Sequence, residues 1–246
     1  MGGGRLEDLG VFSAAELRAC GINDRGIIQP VMPAGRGVDT SVEARHAAAG
    51  LASRGLIVGS GSRWQPVGRL RAVLESAAAG RAFVTCQRAD QIGTGGGNGA
   101  GDRLVFGRLG NTDRALDLIP APGGYRARLT TTGAAASEIA AFAGLGNVPA
   151  EGDQVPSVAA GSEGWDDAIV LLDGAGEPWC IEAASVAGAD GPAIQQRLTV
   201  YVAPAGTWMV LGSRQGDETN LLVAPAGPRR VARVLAGAVS GDAVLL

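Results

Sequence analysis

No lysine occurs anywhere in the 246 residues, and all 21 basic side chains are arginine. Histidine occurs once, cysteine three times, and aromatic residues make up only 4% of the chain. Each scarcity removes a class of chemistry. A Walker phosphate loop needs the lysine that is missing. One histidine (His46) and three scattered cysteines (Cys20, Cys86, Cys180) cannot build a zinc site of standard spacing. A Ser-His-Asp triad would have to use His46, and GSGSR, starting at Gly59, lacks the second flanking glycine of a nucleophile elbow. No run approaches about 18 apolar residues, and the opening MGGGRLEDLGVF has no apolar signal-peptide region. The expectation is a cytoplasmic protein with no enzyme activity, no cofactor, no metal, no small-molecule substrate and no membrane association. Cys86 and Cys180 lie in apolar runs and read as buried thiols of a reducing compartment.

Hydrophobic residues are 46% of the chain, so a sizeable core is available. With few aromatics, it must be built from Val, Leu, Ile and Ala. The all-arginine composition reads as a GC-rich coding bias of the actinobacterial kind. A formal charge of −3 argues against nucleic acid as a partner. The charge is uneven: the first third is rich in Arg and the last third in acids.

Helix signals are plain. Ser13 and Glu16 form a capping-box pattern before a short helix that closes at Gly21. DTSVEARHAAAGLASRGLIVGSG reads as a second helix, capped at Asp39, Thr40 or Ser41, with Val42, Ala48, Leu51 and Ala52 as its apolar positions and Gly55 as its stop. Pro66 opens a third, with Val67, Leu70, Val73 and Leu74 on one face. GIIQPVMPAG reads as a strand limited by Pro30 and Pro33. From Arg81 the period changes to two, and RAFVTCQRA, DRLVFGRLG and RALDLIPAPGGYRARLTTT read as three strands, the last with a Pro-Gly interruption. The segment GAAASEIAAFAG then reads as a helix. The order recurs downstream: RLTVYVAPAG, TWMVLGSRQGD and ETNLLVAPAG are three strands, followed by a helix opened by Pro228. The motif VAPAG at Val202 and Val223 echoes IPAPGG at Ile119. An old duplication accounts for this order. The expected organisation is a single domain over 1–246: an N-terminal subdomain 1–143, a linker or long loop at 144–164, and a C-terminal subdomain 165–246.

Between the first two strands lies GTGGGNGAG, Gly93 to Gly101. Gly95-x-Gly97-x-x-Ala100 is one allowed form of the dinucleotide fingerprint, which works by seating a pyrophosphate on the N-terminus of the next helix. The following segment reads as a strand, so the fingerprint lacks its helix. The stretch is expected to be a long hairpin loop. A separate reading concerns VEARHAAAGLASRGLI, which looks like the helix leading into the wing of a winged-helix domain. Arg45, Arg54, Arg63, Arg69 and Arg71 would then face phosphates, and the protein would be a DNA-binding regulator with a C-terminal sensing domain. An amphipathic helix with Arg on its wet side is the simpler reading of the same residues.

Taken in order, these pieces resemble the EspG family, cytoplasmic chaperones of actinobacterial type VII (ESX) secretion. The resemblance rests on FSAAELRACG, the Pro-bounded IIQPVMP, the helix ending Leu51-x-x-Arg54-Gly55-Leu56, and the closing NLLVAPAGPRRVARVLAG. It implies an α+β fold with a central antiparallel β-sheet flanked by helices and a quasi-two-fold relation between two similar subdomains. It further implies a protein partner, a secreted PE–PPE-type heterodimer, held by the helical tip of its PPE subunit, kept soluble and directed to the secretion system. The long loop would lie near the partner, placing Gly93, Gly95, Asn98 and Gly101 there. For direct contact the expected residues are Phe106 and Arg108 on the strand after the loop, with Trp179, Trp208 and Met209 as aromatic and apolar anchors in the second half.

Overall fold

The computed structural model describes residues 7–20, 22, 42–60, 63–78, 82–88, 102–109, 112–173, 175–176, 178–185, 194–215 and 218–242. The expected strand at GIIQPVMPAG and the glycine stretch Gly93–Gly101 lie outside the described residues.

The chain begins with β1 (Glu7–Phe12) and α1 (Ala14–Ala19), where Ser13 and Glu16 close the expected capping box. Then come α2 (Val42–Ser53), a hairpin of β2 (Ile57–Ser60) and β3 (Arg63–Pro66), and α3 (Gly68–Ala78). A meander follows: β4 (Ala82–Arg88), β5 (Arg103–Gly107), β6 (Arg114–Ala121) and β7 (Gly124–Thr131), ending in α4 (Thr132–Phe142). Residues 144–164 carry a 3-10 turn at Ala150–Asp153 and the two-residue β8 (Val158–Ala159). After α5 (Trp165–Val170), a second meander runs through β9 (Trp179–Ser185), β10 (Ile194–Ala203), β11 (Gly206–Gln215) and β12 (Glu218–Pro225) into α6 (Pro228–Ser240).

Among the described residues, ten strands form one antiparallel sheet in the order β1-β7-β6-β5-β4-β9-β10-β11-β12-β8. The order is mirrored about the β4–β9 pair. Ala82 pairs with Ser185 and Arg88 with Trp179, so each end of β4 meets the opposite end of β9, as a two-fold axis through that pair requires. The fold is therefore α+β, with two similar halves in quasi-two-fold relation. The repeat is four strands and a helix, where the sequence suggested three. Pro122 and Gly123 turn a β6–β7 hairpin inside what read as one interrupted strand, and β9 precedes the three strands expected downstream. The VAPAG echo does not trace the repeat. It spans the end of β10 and the turn into β11, and the end of β12 before α6, whereas IPAPGG joins β6 to β7, so shared strand-end chemistry accounts for it.

One face of the sheet is covered by α4 and α6, which pack on each other and draw on both halves. Val231, Val234, Leu235, Ala238 and Val239 of α6 are buried at i, i+3, i+4, i+7 and i+8, the stripe a helix presents to a core. Against them lie Val84, Val105, Ile181, Leu198, Val200, Met209 and Leu211. A Cβ on Gly107 would overlap the Val239 carbonyl, so only glycine lets α6 come this close to β5. Asp153 supplies the N-terminal cap of α6, accepting from the backbone N–H groups of Arg229 (3.0 Å) and Arg230 (2.8 Å).

Among the described residues, helices α1, α2 and α3 cover the opposite face in the first half. There Leu104, Phe106, Leu116, Leu118, Ala127 and Leu129 pack under Leu17 of α1, Leu51 of α2, and Leu70, Val73 and Leu74 of α3. Cys20 belongs to this layer, and burial pushes its thiol up to about 12, far from any reactive thiolate.

Candidate partner-binding face

Residues directly opposite in an antiparallel pair share a face, so the register sorts the second half-sheet into two surfaces. Leu198, Val200, Met209, Leu211 and Leu222 lie on the α6 side. The other side presents rows across β10, β11 and β12: Thr199–Val210–Val223, Tyr201–Trp208–Pro225 and Arg197–Gly212–Leu221. In the first half this side is roofed by α1, α2 and α3. The second half has α5 at the β8–β12 edge and, among the described residues, no counterpart of α2 or α3. Thr199, Tyr201, Trp208 and Val210 are accordingly half-buried, Arg197 and Arg214 are exposed and Leu221 is 40% exposed, whereas Val223, which pairs with Val158 at the β8 edge, is fully buried. The local sequence matches this environment: in T-V-Y of β10 the buried Val200 stands between the half-buried, amphipathic Thr199 and Tyr201. The Trp208 indole N–H is buried and finds no acceptor among the described residues.

Where the open face meets the covered one, Gln87 donates to the Asp102 carboxylate at 2.6 Å. Burial pushes the Asp102 carboxyl up, against the lowering effect of that hydrogen bond.

The residues expected to contact a partner do not form one patch. Trp208 lies on the open face. Met209, next in sequence, points to the other side and is fully buried under α6, a consequence of the period of two that sequence position alone did not resolve. Phe106 is likewise a core residue, with its ring 4.9 Å from that of Phe83 beneath the helical layer. Met209 and Phe106 are therefore corrected from contact residues to packing residues. Trp179 is on the α4 side, its ring 5.1 Å from Phe142. Arg108, in the left-handed region at φ 47°, follows β5 and reaches Asp242 beyond α6 at 3.6 Å. Gly93, Gly95, Asn98 and Gly101 lie outside the described residues.

The densest polar constellation was missed. On the α4 side of the first half, Arg103 donates to both oxygens of Asp117 (3.0 and 2.6 Å) and to Glu138 of α4 at 2.9 Å. Arg128 donates to Asp117 at 3.0 Å and also to Glu138. Asp117 and Arg103 are buried. Two guanidinium and two carboxylate groups neutralise one another and bolt α4 to β5, β6 and β7, a structural role. A charged residue alternating with Leu116 and Leu118 in "ALDLI" was the available signal.

A helix followed by a hairpin does exist at α2, β2 and β3. Three of the five guanidinium groups that the winged-helix reading would turn toward phosphate are engaged within the chain, however. Arg54 pairs with Glu16, Arg69 with Glu7 and Arg71 with Glu75. His46 is exposed on α2. Among the described residues, no three His, Cys, Asp or Glu side chains gather in a metal-binding cluster, and no helix is long and apolar enough to cross a membrane.

The chain is similar in structure to a type VII secretion chaperone. That protein is EspG5 of Mycobacterium tuberculosis, solved in complex with a PE25–PPE41 dimer. The TM-score is 0.49 and the identity 12%, over 78% of this chain and 83% of that one. No protein-family model and no curated protein matches the sequence.

Proposed function

We propose that the protein is a non-enzymatic binding module that docks another protein on the open face of β10, β11 and β12, and that it acts in the cytoplasm as a secretion chaperone for a PE–PPE-type pair. The observation that carries the docking face is the asymmetry of two otherwise similar halves. One half-sheet is roofed by its own helices, while among the described residues its counterpart leaves Thr199, Tyr201, Trp208, Val210 and Leu221 without such a roof. Half-buried aromatics beside exposed arginines are the residue types that anchor protein interfaces. The client class rests on the sequence resemblance to the EspG family.

The test is co-expression with PE–PPE-type pairs encoded in the same genome, followed by co-purification and size-exclusion chromatography. A stoichiometric complex is expected with wild type. Val210→Glu and Trp208→Ala should weaken it by roughly ten-fold or more, as loss of interface anchors does, while thermal unfolding of the free protein changes little. A complex unaffected by either variant would remove the open face as its site. Salt-sensitive recovery of DNA with no protein partner would overturn the chaperone reading in favour of a regulator.

A further inference from the structure

The mirrored halves carry a second asymmetry, at the edges of the sheet. β1 and α1 border the first half on β7, and β8 and α5 border the second on β12. In the first half α1 is covered in turn by α2. That contact is partly ionic: Arg54, just after α2, donates to Glu16 of α1 at 2.8 Å, and Arg18 of α1 to Glu43 of α2 at 2.8 Å. α5 stands in the corresponding place with nothing over it among the described residues.

Helical spacing makes the consequence specific. Ala168 is the buried position of α5. Val170, nearly opposite Ala168 on the helix, is 68% exposed, and Ile169 and the capping Leu171 flank it at 43% and 41%, so the three form an apolar strip across the helix. Asp166 stands three and four residues before Ile169 and Val170, and Asp167 three and four before Val170 and Leu171, so both carboxylates border the apolar strip. Glu163 and Asp173, also exposed, flank the helix in sequence. None of these four acids has a side-chain ion pair among the described residues. The charge is uncompensated in sequence as well, since no basic residue occurs between Arg128 and Arg197.

We propose that the outward face of α5 is a second docking surface, separate from the open sheet, and that its occupant is a basic amphipathic helix of another protein, seated on α5 as α2 is seated on α1. The apolar strip takes the leucine-type residues of such a helix, and the acidic border takes its lysines or arginines. A second copy of this chain fits poorly, because it would bring one acidic border against another.

The probe is a fluorescein-labelled amphipathic helix of about four turns built from leucine and lysine, with a leucine–glutamate twin as control. Fluorescence anisotropy is read on the full chain. The lysine peptide should bind, weakening with salt, and the glutamate peptide should not. Val170→Glu should weaken binding by roughly ten-fold or more. The double variant Asp166→Arg with Asp167→Arg should transfer preference to the glutamate peptide, and Trp208→Ala should leave binding unchanged. Circular dichroism melts of each variant confirm the fold. Equal binding of both peptides, or binding that neither α5 variant alters, would overturn the assignment. So would concentration-dependent dimerisation that Val170→Glu abolishes, since a second copy would then cover α5. Loss of lysine-peptide binding in Trp208→Ala would place the peptide on the sheet instead.

Discussion

A carboxylate without solvent contact, such as Asp117, persists because Arg103 grips both its oxygens and Arg128 adds a third donor. Removing one member leaves a buried charge uncompensated, which costs far more than the pair contributes. Asp117→Ala should therefore lose about 3–5 kcal/mol in denaturant unfolding, and adding Arg103→Met should recover part of the loss. Glu138 gives the same cluster its pH dependence. Burial alone would raise its carboxyl, but hydrogen bonds and charge from Arg103 and Arg128 outweigh that and hold it below the ordinary value. A carboxyl lowered on folding stabilises fully above its unfolded pKa and stops doing so as pH falls through the folded one. Stability should thus decline on acidification below the usual carboxylate range, and Glu138→Gln should flatten that decline in melts taken across pH. A Glu138→Gln profile as steep as wild type would assign the acid sensitivity elsewhere.

At the scale of elements, α6 shows how a period becomes a core. Its buried stripe ends in Leu235, Ala238 and Val239, pressed on a sheet whose Gly107 admits them. Leu235→Ala should cost about 2–5 kcal/mol in chemical denaturation, more than an exposed substitution such as Arg233→Ala on the same helix. That helix was legible in sequence because Pro228 marks its start. The α1 capping box and the alternation of β4, β10 and β11 were legible for the same reason: their signals are local. β8 is two residues long and carries no period, and β9, "WCIEAAS", has too few bulky residues to announce a strand. The β6–β7 hairpin was hidden because Pro122-Gly123-Gly124 read as a break in one strand when it is the turn between two. Of the residues expected to contact a partner, Trp208 lies on the open face, but Met209 and Phe106 lie in the core. Which side of a strand is roofed depends on helices far away in sequence.

For the whole molecule, the decisive junction is the β4–β9 pair beneath α4 and α6. The core under these helices draws Val84, Val105 and Ala115 from the first half and Ile181, Leu198 and Met209 from the second. Halves that share one core should melt together. Tryptophan fluorescence, reporting mainly on the second half through Trp165, Trp179 and Trp208, and far-UV circular dichroism should trace a single coincident transition. Two separated transitions would mean that the halves are independent units.

The broken symmetry also bears on counting. A perfectly doubled sheet would offer two equivalent seats and could bridge two clients into a chain or a network. With one seat filled permanently by α1, α2 and α3, a client on the open face can be held only once. On the proposed function, light scattering of the complex should give one protein per client pair, a molecule that carries its cargo singly and cannot cross-link it.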